Sequence, residues 1–158
     1  MKITALEEYG LRCILQLASA QRGEIFTVSE IARREGLSVA YVEKLLRILG
    51  KSGLTQSQRG VNGGYTLAKP SDQITLGAVH RALGGLQTPA DICNRYTGNL
   101  KTCIHDDHCG IRAIWQDITQ YVLHVLDSIP ISELLAREKG KLVQIAPPGS
   151  AGQPVLRV

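Results

Sequence analysis

The sequence predicts a mainly α fold with a small β-hairpin wing, and three observations carry that prediction. Two short capped helical stretches lie back to back within 27–53, joined by a tight glycine-containing turn. A glycine-rich segment with an Asn-Gly pair separates two short alternating runs at 54–57 and 65–68. An apolar stripe at helical spacing then runs through 110–129. At 158 residues, 44% hydrophobic and 20% charged, the chain is globular, one domain of ordinary size or a small domain with an appended element. No run of about 18 apolar residues is present to span a membrane. The N-terminus has no apolar signal core and carries acids early, so export is not expected and the cytoplasm is the expected compartment.

The first element covers 4–20, where Leu6, Tyr9, Cys13, Ile14, Leu17 and Ala18 recur at three-and-four spacing. That is an amphipathic helix packed on a core. Cys13 lies on its apolar stripe and reads as a buried structural thiol. Glu7 and Glu8 fall in the first turn, where acids favour the helix dipole.

Thr27-Val28-Ser29-Glu30 is a capping box. It opens a helix over 28–35 that Gly36 terminates in the left-handed conformation. Ser38 caps a second helix, which runs from Val39 through Leu49 to Gly50 or Gly53. Two short helices with such a turn make a helix-turn-helix. Ser38, Ala40, Tyr41, Glu43 and Lys44 face outward near the start of the second helix, the part that meets base edges when such a helix enters a major groove. The hairpin follows at once, with Arg59 in its tip, Gln58-Arg59-Gly60-Val61-Asn62-Gly63-Gly64. A helix-turn-helix followed by this hairpin is a winged helix, and Arg59 is placed for a minor groove or a phosphate. No Gly-Lys-Ser/Thr follows the glycines, which argues against a nucleotide-phosphate loop. Charge agrees with a nucleic-acid face: residues 1–70 hold 10 Lys/Arg against 6 Asp/Glu, whereas 71–158 hold 8 of each. Residues 1–70 are therefore read as the DNA-binding domain.

Residues 71–88 form a connection with one short helix, Leu76 to Leu83, closed by Gly84-Gly85. Residues 89–110 read as a polar loop without apolar periodicity, and three of the four cysteines fall in it: Cys93, Cys103 and Cys109. Soft thiolates grouped in a loop with little core of its own point to zinc or an iron–sulfur cluster. The gaps, nine and five intervening residues, are longer than the short Cys-x-x-Cys steps of a structural zinc site, and three thiols leave one position for another ligand.

Residues 111–138 carry the long helix and a short terminal one, Ile131 to Arg137, with Ser132 as its expected cap. The long stripe of Ile111, Ile114, Trp115, Ile118, Tyr121, Val122, Val125 and Ile129 exceeds what so small a domain can cover. It reads as a dimer seam, and a two-fold dimer suits a palindromic DNA site. The remainder, 139–158, is rich in Pro, Gly and Ser and reads as a flexible tail.

These residues together resemble the iron–sulfur cluster regulators of the IscR and NsrR type, bacterial winged-helix transcription factors. The resemblance runs from Met1 to about Leu135. It is carried by Met1-Lys2-Ile3-Thr4, Ile31-Ala32, Leu37 to Leu45, Gly53-Leu54, Arg59 to Tyr65, and the three cysteines ahead of a Trp-containing helix. It implies a homodimer that crosses its long helices, holds a [4Fe–4S] or [2Fe–2S] cluster on Cys93, Cys103 and Cys109, and changes its DNA affinity with cluster state. A repressor sensing nitric oxide, redox state or iron and cluster supply is the expected role. The DNA contacts it suggests are Lys2, Ser38, Tyr41, Glu43 and Lys44, with Arg59, Val61 and Gly63 in the wing; Tyr41 and Lys2 are alternatively phosphate contacts.

Two departures from the family pattern bear on the cluster. The first cysteine gap is longer than in the better-known members. Where the IscR branch has a ligating histidine three residues after the last cysteine, this chain has Arg112, a poor ligand. In the NsrR branch an acid of the first helix from the partner subunit serves instead, and Glu8 occupies that position. Glu7 lies about 100° away on the helix; His105 and His108, inside the loop, are the other candidates. The missing histidine and the acid at position 8 favour [4Fe–4S]. Rival expectations are a zinc-stabilised winged helix and a metal-free thiol switch. A cysteine-nucleophile enzyme needs a base held beside the thiol in a packed cleft, which this polar loop does not offer.

Overall fold

The computed structural model describes residues 3–21, 24–60, 63–86, 88–105 and 109–138. Lys2, Val61, His108 and the 139–158 tail lie outside the described residues. Among the described residues seven helices and one hairpin follow in the order α1 (Ala5–Ala18), α2 (Val28–Glu35), α3 (Val39–Lys51), β1 (Thr55–Gln58), β2 (Gly64–Leu67), α4 (Leu76–Ala82), α5 (Pro89–Arg95), α6 (Gly110–Asp127) and α7 (Ile131–Glu138). This is the mainly helical, winged architecture expected from the sequence.

Local chemistry sets each boundary. α1 and α2 both start in full capping boxes, Thr4 with Glu7 and Thr27 with Glu30, each worth about 1 kcal/mol. Gly36 ends α2 at φ 66°, a left-handed conformation that costs glycine nothing. Ser38 caps α3, its hydroxyl accepting from the Tyr41 N–H at 3.3 Å. α1 runs through the middle of the core, burying Cys13, Ile14 and Leu17 against Phe26, Ile31 and the α3 side chains Val42, Leu45, Leu46 and Leu49. Each such buried side chain contributes roughly 1.5–3 kcal/mol.

The two strands pair antiparallel, Thr55 opposite Leu67 through Gln58 opposite Gly64. Both sit one residue away from the expected spans, because Leu54 turns inward to the core while its carbonyl accepts from the Ala68 N–H. A further bridge ties the hairpin to the body, Phe26 exchanging backbone hydrogen bonds with Tyr65 at 3.2 and 2.8 Å.

Two expectations about the second half are corrected. The segment from 89 is not loop throughout: α5 forms there, with Thr88 as N-cap, Pro89 in the first turn and Asp91 completing a capping box. Pro at that position loses no intrahelical hydrogen bond, and the cap supplies what apolar periodicity does not. The final helix starts at Ile131, so Ser132 lies inside it and does not cap it. Its entry is fixed instead by backbone pairing, Ile131 N–H to Ile74 C=O at 2.8 Å and Ser132 N–H to Ser71 C=O at 3.2 Å.

α6 is joined to the body at its C-terminal end. Asp127 takes both guanidinium nitrogens of Arg81 at 2.9 and 2.7 Å, and the Leu76 N–H donates to the Ile129 carbonyl at 2.8 Å. The Arg81 hydrogen bonds hold the Asp127 carboxyl below its ordinary range. None of α6's described side chains is buried within the chain.

Candidate functional site

On the helix-turn-helix face, α3 buries one side and presents Glu43, Lys44, Arg47 and Lys51 to solvent. Glu43 and Arg47 pair at 2.7 Å. Arg47 was absent from the sequence-based set; the four-residue step from Glu43 is the signal that finds it, since that step puts both on one helix face. Tyr41 is half-buried, its ring edge-on to Tyr9 of α1 with centroids 6.0 Å apart, so a residue expected to face DNA also ties α3 to α1. Ser38 is exposed and its hydroxyl is engaged in the cap. Behind this face, Arg34 at the end of α2 stacks its guanidinium on the Phe26 ring at 4.2 Å.

In the wing, Arg59 is exposed next to Gly60, whose φ of 125° favours glycine. Gly63 is held so close to the opposite side of the turn that a Cβ would sit 2.5 Å from the Gln58 carbonyl oxygen. The wing thus depends on glycine for shape and offers Arg59 as its cation.

The three downstream cysteines reach one place from three different elements. Cys93 projects from α5, Cys103 from the following loop, and Cys109 is the N-cap of α6, its Sγ accepting from the Arg112 N–H at 3.4 Å. With His105, Ile92, Tyr96, Ile111 and Trp115 they line one open cavity of about 480 Å³. All three are free thiols. Among the described residues no three His, Cys, Asp or Glu groups converge as they would on a single metal ion. A mononuclear zinc site requires thiolates at about 2.3 Å from one point. A cluster distributes its thiolates over several irons, and three thiols around one cavity are a donor set that could hold such a group.

Glu8 does not line the cysteine cavity of its own chain. It lies on the exposed side of α1, paired with Arg12 at 2.9 Å, and that carboxylate holds the Arg12 guanidinium still more firmly protonated. Glu7 points the other way and is buried. One carboxylate oxygen accepts from the Thr4 N–H and hydroxyl, both at 2.7 Å; the other meets His80 Nδ1 at 3.0 Å. The pairing of Glu7 with a histidine of α4 was not foreseen, because a helical period says nothing about a partner 73 positions away.

Along the first part of α6 the expected seam is open to solvent, with Ile111 68%, Ile114 59%, Ile118 47% and Tyr121 54% exposed; Val122 and Val125 are half-buried, and Ile129, expected on the same stripe, lies past the end of α6 and is buried in the body. A continuous apolar face of this kind on a folded chain marks an interaction surface.

Comparison with known proteins gives one consistent neighbourhood. A family model described as Rrf2, iron-dependent transcriptional regulator, matches residues 3–137. The chain is 32% identical over 135 residues to Protein rrf2 of Nitratidesulfovibrio vulgaris strain Hildenborough, covering 85% of this chain and 87% of that protein. Among solved structures it resembles CymR (YrzC), the global cysteine regulator of B. subtilis, with a TM-score of 0.69, 31% identity, and coverage of 87% of this chain and 98% of that one. It resembles T. potens IscR equally, with a TM-score of 0.69, 29% identity, and coverage of 91% and 93%.

Proposed function

The chain belongs to the Rrf2 family of transcriptional regulators, and on that premise we propose that it is a dimeric repressor whose operator affinity is switched by an iron–sulfur cluster. The family is described as one of iron-dependent transcriptional regulators, and relatives of the chain are named HTH-type transcriptional regulators. Among the described residues no helix is long and apolar enough to cross a membrane. The observation that carries the proposal is the meeting of Cys93, Cys103 and Cys109 at one cavity directly beneath the N-terminus of an exposed apolar helix.

In this reading Cys93, Cys103 and Cys109 hold the cluster, and Glu8 of the partner subunit supplies the fourth ligand. When bound, the cluster supplies a [4Fe–4S] or [2Fe–2S] centre reactive toward nitric oxide, oxidants or loss of iron. A carboxylate is a hard ligand for iron and so a labile one, which suits a site that must open. The chain's own residues carry the rest. Drawing Cys93 and Cys109 together fixes α5 against the start of α6. α6 is tied at its far end to α4 through Asp127 and Arg81, and α4 packs on α1 and α3. The spacing of two recognition helices across a dimer thereby follows the state of the cysteine site. Ser38, Tyr41, Glu43 and Lys44 meet the major groove, with Lys2 on phosphate. The wing, through Arg59 and the backbone at Val61 and Gly63, meets the minor groove.

A second reading has a specific support: the chain is as similar to the global cysteine regulator of B. subtilis as to an IscR, and its three site cysteines are free. A thiol switch would pair two of them under oxidation. One experiment separates the readings: anaerobic absorption spectra with iron, sulfide and zinc analysis of wild type and Glu8→Ala. A brown wild type with near-equal iron and sulfide, and a variant that loses its colour, support both the cluster and the cross-subunit ligand. A variant that stays brown moves the fourth position to His105 or His108. A colourless wild type rules out the cluster; bound zinc then marks a structural site, and a metal-free protein that gains a disulfide on oxidation marks the thiol switch.

A further inference from the structure

Beside Glu8 lies a second cavity, distinct from the cysteine site. It encloses about 160 Å³ between α1, α4 and the end of α6, with Ile3, Leu11, Val79, Leu83 and Leu126 among its walls and Glu8 at its edge. The open wall surface is mostly apolar, with Glu7 and His80 also in the lining, and the volume has room for one branched aliphatic side chain.

The geometry of α6 indicates what would reach it. The exposed stripe runs from Ile111 to Tyr121, so its midpoint falls near residue 116. Two copies meeting antiparallel on that stripe bring Cys109 of one chain level with Leu123 of the other, one helical turn from Leu126 in the cavity wall. In that arrangement of the proposed dimer, the end of one chain's cysteine loop would arrive near the other chain's cavity, which Glu8 also lines. Within the described part of that loop, Cys103 and His105 line the cysteine cavity. Ile104 lies between them and is 74% exposed, more than any other large apolar side chain described. Tyr96 is already turned toward the thiols, and Leu100 lies three residues from the nearest cysteine.

We propose that the α1–α4 cavity is the seat of Ile104 of the partner subunit, an apolar plug that draws the partner's cysteine loop onto α1 and sets its thiols beside Glu8. The plug rests on the cross-subunit assembly proposed above and adds to it a contact that needs no metal. It assigns Ile104 a positioning role: the side chain touches neither iron nor DNA, yet its burial fixes where Cys103 lies relative to Glu8.

The test uses the full chain with an aliphatic diazirine amino acid at position 104, prepared anaerobically and irradiated as isolated. The expected product is a covalent dimer in which the probe is joined to a partner peptide containing Leu11, Leu76–Leu83 or Leu126. Links confined to the probe's own chain, or to partner peptides elsewhere, or no covalent dimer, overturn the plug. The absorption spectrum of the same sample reports on the cluster separately. A colourless sample that still links to the cavity leaves the plug standing and removes the iron–sulfur reading; a brown sample without the link does the reverse. In a brown protein, Ile104→Asp should accelerate cluster loss in air by about tenfold, the scale of one buried aliphatic side chain, while Ile104→Leu should keep the wild-type rate. Equal rates for the two variants overturn the positioning role.

Discussion

Glu7 and Glu8 are adjacent in sequence and opposite in environment, because one helical step turns a side chain by about 100°. Glu7 is buried, accepting hydrogen bonds from Thr4 and meeting His80 Nδ1 at 3.0 Å. Glu8 is exposed and, among the described residues, pairs with Arg12 at the i,i+4 step, a surface contact weak enough for a metal centre to outcompete. The four cysteines divide in the same manner. Cys13 is fully buried in the core, and burial pushes its thiol pKa up to about 12, with Glu35 adding to the rise. At neutral pH it therefore has almost no thiolate, the form that reacts. Cys93, Cys103 and Cys109 line an open cavity. Iodoacetamide applied to the native, reduced, metal-free protein at neutral pH should modify those three and spare Cys13, which should react only after unfolding. Mass mapping checks this, and a Cys13 modified at the rate of the others would contradict its place in the core.

At the scale of elements, the wing is the clearest case of backbone chemistry positioning a functional side chain. Gly60 supplies a positive φ, and Gly63 allows an approach that any Cβ would block. The Phe26–Tyr65 bridge then fastens the hairpin to the core. Arg59 is left at the tip with its guanidinium free to reach a groove. Arg59→Ala should weaken operator binding by about 1 kcal/mol, and if the contact is to phosphate it should also lower the salt dependence by about one charge. Gel shifts at two ionic strengths measure both effects; unchanged affinity removes Arg59 from the interface. The Arg81–Asp127 clamp acts at the other end of the molecule. Its carboxylate has a depressed pKa because Arg81 hydrogen-bonds the charged form. Its contribution is accordingly present above the ordinary Asp value of 3.8 and is lost as pH falls through the lower folded value.

For the whole molecule, the decisive fact is that an 18-residue helix buries none of its side chains within its own chain. The body has its own core, centred on α1 and α3, and α6 is attached to it chiefly at one end. In the dimer proposed above, a second copy supplies the missing apolar surface and the pair presents two recognition helices to a palindromic site. Ile118→Asp, a charge at the middle of the exposed stripe, should convert the dimer to monomer in sedimentation and weaken operator binding by about a hundredfold through loss of two-site attachment. A variant that remains dimeric with unchanged affinity would move the interface away from α6.

The sequence alone determined the helical body, the wing and the grouping of the cysteines. Those features are written in local chemistry: capping residues, left-handed glycines, an Asn-Gly pair and a 3.6-residue apolar period each act within a few positions. α5 was the local element missed, since Thr88, Pro89 and Asp91 signal a helix start without any apolar stripe to follow. Tertiary structure decided what depends on distant meetings. It set Glu7 against His80, Tyr41 against Tyr9 and Asp127 against Arg81. It gathered three cysteines from a helix, a loop and a helix cap around one cavity, and it opened a separate apolar cavity beside Glu8. Periodicity assigns a side chain to a face of its own element; which groups that face meets follows only when elements far apart in the chain pack together.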